Sequence, residues 1–410
     1  MKKLLITIAI IFINYSYSVQ NIVVYSNNKS NDKIKIAVSG VNDATILQEM
    51  AFDLNLSGEL LLENIDSLDK AIKSNSKYQI KVHIYNNNTN KVLQYTVQET
   101  ATNKILISYK TIFNDRSQRK VIHMMDNAIY QAITKSPASF TSKIATIIKN
   151  DNQYQLIVSD YDGYNTTSIL RTTTPISSLA WSRDNSHIAY VFYEQFYGGN
   201  KPLIYTQNLS TGKRTLIAAF DGSNSSPLFI NNDKLIVTLS KDGGSHLYMI
   251  DNSPYDANKK AIPLLKFGGE IDTEADVSNE GKLIFTSDHD GNPQIFTTTL
   301  SGNSASKLTN LIGNHLTTAR FSKDGKKITF INKNKDTGFK TFYYNLNNQV
   351  ISCISDTNAD IAPSFSPDNN LVLYSSHDTL YISSTIKNKI SAISLQNNSY
   401  NEVIDQRWCY

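Results

Sequence analysis

The sequence has few of the residues that build the common cofactor and nucleic-acid sites. It contains 2 cysteines in 410 residues, too few for a disulfide framework, a four-thiolate zinc site or an iron–sulfur cluster. Its 40 basic and 36 acidic side chains nearly balance, and no run of Lys or Arg provides the clustered charge that nucleic-acid binding needs. The sequence therefore predicts no nucleic-acid partner.

Motifs of the common enzyme classes are also missing. The 7 histidines are scattered singly, and none begins His-Glu-x-x-His. No Walker loop, Gly-x-Gly-x-x-Gly loop or Gly-x-Ser-x-Gly elbow occurs. We therefore predict no catalytic residue, no cofactor and no metal site. With 40% hydrophobic residues the chain still has ample material for a folded core.

The pronounced apolar run of the sequence is short and N-terminal. Two lysines precede Leu4–Ile13, and small residues follow at Ser16 and Ser18. A membrane-spanning helix needs about 20 apolar residues, whereas charge, a short apolar run and small residues in this order are typical of a secretory signal. We expect a cleaved signal peptide at 1–18 and export to the periplasm, with an uncleaved membrane anchor as the alternative.

Residues 19–138 have the mixed pattern of a small α+β domain. Alternation at period two predicts strands at Lys33–Val38, Tyr78–Tyr85, Val92–Gln98 and Ile105–Phe113. Helical spacing predicts one helix between the cap Asn42-Asp43 and the stop Gly58, and others at Ser67–Lys73 and Arg119–Thr134. Pro137 follows the last helix and marks the domain boundary.

Residues 139–410 carry a repeat. Each copy has an anchor, which is an apolar residue followed by small and polar residues that form a turn. The anchors are Trp181, Phe229, Val277, Phe321, Phe365 and Trp408, at intervals of 48, 48, 44, 44 and 43 residues. A period in the mid-forties with about four short strands per unit is typical of a β-propeller blade. The sequence thus predicts a multi-domain chain, with a small α+β domain followed by an all-β six-bladed β-propeller.

The sixth blade has its anchor strand at the C-terminal end of the sequence. Its other strands must then come from Lys143–Ile148, Gln155–Asp160 and Ser168–Arg171. A ring closed in this way by both ends of the domain has no exposed strand edges.

Several segments resemble the TolB family, the periplasmic propeller proteins of the Tol–Pal system in Gram-negative bacteria. The most specific segment is Val158–Asn165 (VSDYDGYN). Further similarities are Asp53-Leu54 with Ser57-Gly58, Phe140–Ala145 (FTSKIA), Pro227, Pro363 and Phe365–Asp368, in the same order over nearly the whole mature chain. The sequence departs from the family at its last anchor, where Trp408-Cys409-Tyr410 replaces the usual Trp-Ser-Pro.

The resemblance implies a non-enzymatic adaptor that supports outer-membrane integrity and envelope constriction at cell division. The propeller mouth would bind the globular domain of Pal, a peptidoglycan-associated lipoprotein, and the mature N-terminus would bind TolA, with other outer-membrane proteins as further candidates. The predicted Pal-binding residues are Ser223, Ser225, Asp272, Thr273, Glu274, His315, Thr317 and Asp360. The predicted TolA-binding residues are Val19, Gln20, Asn21, Ile22, Val23, Val24 and Tyr25.

Each of these sites has an alternative interpretation. Val19–Tyr25 is apolar and β-prone, so it is suited to adding a strand to a partner's sheet or to folding back onto its own domain. A frayed terminus is the alternative. For Asp272, Glu274 and Asp360 the alternative is that they are solvated loop residues without a binding role.

An exported enzyme that uses the propeller as its scaffold, such as a polysaccharide lyase or a peptidase-associated protein, is the alternative function. It would need His, Arg or metal ligands gathered at the channel. We do not expect the arginines to share equivalent blade positions; they are Arg171, Arg183, Arg214, Arg320 and Arg407.

Two acidic turns and two cysteines have more than one interpretation. Asp160–Gly163 (DYDG) and Asp288–Gly291 (DHDG) suggest calcium loops, but the Glu that such loops need eleven residues later is absent. We expect both at the same place in their blades, as structural turns. Cys353 and Cys409 either form a disulfide in an oxidising compartment or remain buried thiols.

Overall fold

The computed structural model describes residues 33–64, 75–196, 199–265, 271–301, 304–308, 313–386, 390–393 and 400–410. The predicted signal peptide at 1–18, the segment Val19–Tyr25 and the predicted helix Ser67–Lys73 lie outside the described residues. None of the described helices is both long enough and apolar enough to cross a bilayer.

The N-terminal part is built on a five-stranded sheet. Its strands are β1 Ile34–Ser39, β2 Leu60–Asn64, β3 Tyr78–Asn87, β4 Asn90–Glu99 and β5 Ile105–Phe113. They lie in the order β2-β1-β3-β4-β5, with β1 parallel to both of its neighbours and the other pairs antiparallel. Strand β2 was not predicted, because its five residues begin with three successive leucines and so lack the alternation of apolar and polar residues that indicates a strand.

Two described helices pack against this sheet. Helix α1, Ala44–Leu56, begins at Asp43, whose side chain accepts a hydrogen bond from the N–H of Thr45 at 2.8 Å, and it ends just before Gly58, as predicted. Helix α2, Gln118–Thr134, follows a single 3-10 turn at Asp115–Ser117. The prediction of α2 is therefore confirmed to within one residue at its start.

The described residues from 143 onward form six four-stranded antiparallel sheets arranged as propeller blades. The sixth blade contributes β6 Lys143–Asn150, β7 Gln153–Asp160 and β8 Thr167–Thr172. The first blade is β9 Ile176–Trp181, β10 His187–Phe196, β11 Gly199–Asn208 and β12 Arg214–Ala218. The second is β13 Asn224–Phe229, β14 Lys234–Leu239, β15 His246–Asp251 and β16 Ile262–Pro263.

The remaining blades repeat this pattern. The third blade is β17 Asp272–Val277, β18 Lys282–Ser287, β19 Gln294–Thr299 and β20 Ser306–Lys307. The fourth is β21 Leu316–Phe321, β22 Lys327–Asn334, β23 Gly338–Asn345 and β24 Ile351–Cys353. The fifth is β25 Asp360–Phe365, β26 Leu371–Ser376, β27 Thr379–Ser384 and β28 Ile390–Ile393, and the last strand is β29 Glu402–Trp408.

All six anchors occupy the same place in the ring. Each is the final residue of the innermost strand of its blade, which confirms the repeat. Strand β29 pairs antiparallel with β6, with Trp408 opposite Ile144. The sixth blade is therefore made from both ends of the propeller, as predicted.

The N-terminal part and the propeller share one hydrophobic core. Helix residues such as Met50 and Ile129 belong to the same buried cluster as Phe140, Tyr161 and Trp408 of the propeller. The rings of Tyr161 and Trp408 stack with centroids 6.3 Å apart. This shared core brings polar residues of α1 and α2 against the turn that follows β7.

The two acidic turns do not lie at the same place in their blades, so that expectation was wrong. Asp160–Gly163 connects the third strand of its blade to the fourth, whereas Asp288–Gly291 connects the second strand to the third. The first turn comes one strand later in its blade because the innermost strand of that blade, β29, comes from the other end of the sequence. Cys353 and Cys409 are both free thiols in the structure.

Candidate functional site

The innermost strands share an irregularity near their starts. Each contains a break in register where it pairs with the next strand. In five blades the third residue of the innermost strand has a positive φ, between 47° and 57°; these residues are Ser178, Ser226, Glu274, Thr318 and Ala362. Non-glycine residues in this conformation cost of order 1 kcal/mol each and are concentrated at functional sites. The start of the innermost strands is therefore a candidate binding surface, which we call the mouth.

A cavity of about 320 Å³ opens at the mouth. Three of the predicted Pal-binding residues line it: Glu274, Thr317 and Asp360. The other five predicted residues lie outside its lining: Ser223, Ser225, Asp272, Thr273 and His315. The structure therefore gathers part of the predicted set at the cavity and places the rest around it.

Hydrogen bonds of the acidic residues at the mouth connect neighbouring strands. Oε2 of Glu274 accepts hydrogen bonds from the backbone N–H and the hydroxyl of Thr318, at 2.9 and 3.0 Å, which joins the third blade to the fourth. Oδ2 of Asp360 accepts hydrogen bonds from the N–H and hydroxyl of Thr341, at 2.7 and 2.9 Å. These carboxylates therefore stabilise the shape of the mouth, whether or not they contact a partner.

Asp272 and Asp360 are not solvated loop residues, so that alternative is wrong for both. Each is the first residue of its innermost strand and is about 1% exposed. Asp272 lies 3.2 Å from Nδ1 of His246. Asn224, at the same place in the second blade, donates a hydrogen bond to the carbonyl oxygen of Phe220. The buried polar residue at this position contacts the preceding loop in Asn224 and Asp360 and the neighbouring blade in Asp272, and a direct contact with a partner stays a prediction.

The predicted Pal-binding residues do not include the apolar part of the mouth. Ile271, Phe339 and Ile361 are exposed, and the last two also line the cavity. The positive-φ residues could have been found, because each lies three positions before its anchor. Phe339 could not, because it comes from the third strand of its blade and only the fold brings it to the mouth.

The expectation about the arginines was wrong for two of them. Arg320 and Arg407 each directly precede an anchor, and both line the mouth cavity. They also line a smaller cavity of about 40 Å³ further along the channel. Asp276, which holds the same position in the third blade, forms an ion pair with Nη2 of Arg407 at 3.1 Å across the channel. The channel therefore has a layer of charged side chains.

A second polar cluster lies where the N-terminal part meets the propeller, and we call it the junction. Nδ1 of His123 lies 2.7 Å from Asp53, and its Nε2 lies 3.2 Å from Asp162 of the DYDG turn. Arg119 forms ion pairs with both Glu49 and Asp162. The hydroxyl of Tyr161 donates a hydrogen bond to Asp53. Helices α1 and α2 are thereby tied to the propeller by charge as well as by the shared core.

The junction shifts the pKa values of its members. Burial lowers the pKa of His123, but its contacts with Asp162 and Asp53 outweigh this and raise the pKa to about 10. Burial raises the pKa of Asp162, but hydrogen bonds with His123 and Arg119 outweigh it and lower the pKa. His123 is therefore an imidazolium between two carboxylates at neutral pH.

Asp126 differs from the other acidic residues of the junction. Burial raises its pKa well above the usual range, and the nearby Asp53 raises it further. Neither of its carboxyl oxygens has a hydrogen-bond partner among the described residues. Burial without a hydrogen-bond partner thus favours the protonated form of Asp126.

One group at the junction has the composition of a metal site. Ligand atoms of His123, Asp160 and Asp162 lie within 4.8 Å of one another. Lys143 already hydrogen-bonds to Asp160, however, and Arg119 hydrogen-bonds to Asp162. Because cations of the chain itself compensate these carboxylates, the geometry gives the calcium interpretation no support beyond the ligand types.

Comparison with known proteins identifies the family. The family model of the TolB beta propeller domain matches residues 130–401. This chain belongs to the TolB family. A Tol-Pal system protein TolB of Francisella tularensis subsp. mediasiatica is 29% identical over 374 residues, 88% of this chain and 79% of that protein. A TolB of Francisella tularensis subsp. tularensis is 30% identical over 320 residues, 75% of this chain and 68% of that protein.

A solved structure extends the family similarity to the N-terminal part. The crystal structure of TolB from Acinetobacter baumannii has a TM-score of 0.81 and 27% sequence identity, and covers 92% of this chain and 96% of that chain. The α+β part and the six-bladed ring are therefore the TolB architecture. The chain is a non-enzymatic protein of the Tol–Pal system, and we set aside the alternative of an exported propeller-scaffold enzyme.

Proposed function

We propose that this TolB-family protein is a periplasmic adaptor that binds Pal at the propeller mouth and TolA through its mature N-terminus. In this role it supports outer-membrane integrity and envelope constriction at cell division. The proposal includes removal of a signal peptide at 1–18, an N-terminal domain at 19–138 and a propeller at 139–410. Membership of the Tol–Pal system supports protein partners in the envelope.

The architecture of the mouth carries the proposal for Pal. Five strained residues surround one end of the channel, and a cavity of about 320 Å³ lies among them. Exposed Phe339 and Ile361 line this cavity and give it an apolar part, whereas the predicted residues outside its lining are polar. An apolar centre with a polar rim is the usual composition of a protein interface. The predicted Pal-binding residues lie in and around this surface.

The proposal for TolA depends on the chemistry of the N-terminal segment. Val19–Tyr25 reads VQNIVVY, which combines high β-propensity with an absence of charge and proline. An extended segment of this kind binds by adding a strand to a partner's sheet. The same backbone groups are satisfied if the segment docks on its own chain, so the two states compete.

Calorimetry with purified Pal globular domain tests both parts. We expect the mature chain to form a saturable one-to-one complex, and we expect removal of Val19–Tyr25 to change its affinity. Binding that is indifferent to the truncation would retain the adaptor function and reject coupling through the N-terminus. An absence of binding to Pal from the same organism would reject the mouth as a Pal site.

Single substitutions sharpen the test of the mouth. Ile361→Asp places a charge on a residue that is 36% exposed beside the cavity, and Ile262→Asp makes the same change on β16, where the residue is 60% exposed. We expect the first variant to weaken Pal binding about tenfold or more, and the second to bind like the wild type. Thr273→Arg should also weaken binding without lowering the melting temperature. Wild-type affinity in both Ile361→Asp and Thr273→Arg would remove this side of the mouth from the interface.

A further inference from the structure

Arg320 lies half-buried in the channel, and its guanidinium has few hydrogen-bond partners. Its Nη1 donates hydrogen bonds to the carbonyl oxygens of Glu274 and Ala319, at 2.9 and 2.8 Å. Among the described residues, neither Nε nor Nη2 of Arg320 has a partner, and no carboxylate forms an ion pair with it. Nε and Nη2 form the edge of a guanidinium that binds a carboxylate or phosphate through two parallel hydrogen bonds.

The acidic groups of the channel are engaged elsewhere. Asp276 pairs with Arg407 through Oδ1, and its Oδ2 accepts a hydrogen bond from the N–H of Phe321 at 2.7 Å. Oδ2 of Asp405 accepts a hydrogen bond from the N–H of Leu179 at 2.6 Å. None of these contacts involves the open edge of Arg320. The channel therefore contains its own carboxylates and still has a guanidinium without one.

The electrostatics agree with this geometry. Burial and the positive charge of Arg407 lower the pKa of Arg320, and the nearby carboxylates of Asp276, Glu274 and Asp405 do not compensate for them. For Arg407, burial also lowers the pKa, but Asp276, Tyr410 and Asp405 together outweigh it and raise the pKa. A partly buried guanidinium that no carboxylate contacts directly is unfavourable. A bound anion would remove this cost.

From these contacts we infer that the channel binds a small anion of carboxylate or phosphate-like chemistry on the open edge of Arg320, beside Arg407. The mouth cavity of about 320 Å³ is large enough for such an ion with several waters, since water occupies roughly 30 Å³ per molecule. This site lies deeper than the mouth surface and does not depend on Pal binding. Its anion comes either from solution or from an acidic side chain that a bound partner inserts.

Titration with sulfate at constant ionic strength tests the site in the full mature chain. We expect saturable binding to the wild type by calorimetry, and at least about tenfold weaker binding to Arg320→Gln, because two charge-assisted hydrogen bonds are lost. Arg171→Gln is the matched control, since Arg171 is exposed on the outermost strand of the sixth blade. If Arg320→Gln does not fold, Arg320→Lys can replace it. A lysine retains the positive charge but cannot form two parallel hydrogen bonds, so its sulfate binding should also be weaker than that of the wild type.

Two results would overturn the inference. One is equal sulfate binding by the wild type and the Arg320 variant, which would place the ion elsewhere. The other is an absence of sulfate binding by the wild type together with unchanged Pal affinity in Arg320→Gln.

A competition experiment then separates the two sources of the anion. If a partner inserts an acidic side chain, sulfate weakens the Pal complex of the wild type and has little effect on that of Arg320→Gln. If the ion comes from solution, sulfate binds the wild type and leaves its Pal affinity unchanged. The competition experiment rests on the proposed function, whereas the sulfate titration of the free chain does not. A failure of Pal binding can therefore be distinguished from a failure of the anion site.

Discussion

The junction and the channel both bury arginines, but they partner them differently. At the junction, Arg119 forms ion pairs with Glu49 and Asp162, and neighbouring His123 lies between two carboxylates. In the channel, the partners of Arg320 among the described residues are backbone carbonyl oxygens. A buried charge whose partners belong to the same chain holds that chain together, whereas one that lacks a counter-ion remains available to a ligand. The difference separates a structural cluster from a binding site within one molecule.

The largest expected effect comes from removing the strand that serves both regions. Deletion of Glu402–Tyr410 removes Trp408, which stacks on Tyr161 of the junction, together with Arg407 of the channel and the innermost strand of the sixth blade. We expect cooperative unfolding to be lost, or the free energy of unfolding to fall by more than about 5 kcal/mol, because loss of a buried tryptophan alone costs about 3–5 kcal/mol. Urea denaturation followed by circular dichroism measures this.

Glu402→Ala is the control for that deletion. It changes an exposed residue of the same strand whose ion-pair distance to Lys149 is 3.8 Å, so it should cost less than about 1 kcal/mol. An unchanged melting transition in the deletion variant would reject closure of the ring by β29.

Breaking the junction at one charge should have the next largest effect. Asp162→Asn removes the carboxylate that Arg119 and His123 share, and we expect the free energy of unfolding to fall by about 3 kcal/mol. Glu280→Gln removes an ion pair with Lys282 whose side chains are 69% and 58% exposed, and it should cost less than about 1 kcal/mol. Similar losses in the two variants, measured by urea denaturation, would contradict a structural role for the junction charges.

The smallest effect concerns the buried carboxyl of Asp126. Its folded-state pKa is raised, so its contribution to stability is full below the unfolded-state pKa of about 4 and is lost as the pH rises from there through the raised pKa of the folded state. Asp126→Asn stays neutral at every pH, so its stability relative to the wild type should increase between about pH 5 and about pH 8. Paired urea titrations at both pH values measure the difference. Glu49, Asp53 and His123 titrate in both proteins, and a pH-independent difference would show that Asp126 is ionised in the folded chain.

The parts of the fold that depend on local spacing were predicted from the sequence. Anchors at intervals of 43 to 48 residues identify the blades, because each blade repeats the same strand and turn pattern. The periodicity of α2 and the caps of α1 are also local signals. Strand β2 was missed because its five residues have no alternation and its pairing with β1 comes from the fold.

The candidate sites were less predictable because they join distant segments. The junction brings together Asp53, His123 and Asp162, which are far apart in sequence and meet only when the two parts dock. The DYDG turn was recognised and interpreted as a structural turn, but its cationic partners Arg119 and Lys143 were not predicted from the sequence. The charged layer of the channel could have been predicted from the sequence, because Arg320 and Arg407 directly precede anchors, but this pattern was overlooked.

The closure of the sixth blade has a consequence for how the chain folds. Strand β6 is made early, yet its partner β29 follows roughly 250 residues later, so the ring closes only after the whole propeller has emerged. The entropy of closing so long a loop grows slowly with its length, but contacts of this separation slow folding. Until then β6 has a free edge that can pair with another chain. Release of incomplete chains would therefore favour aggregation, and a chain held unfolded until it is complete would avoid it.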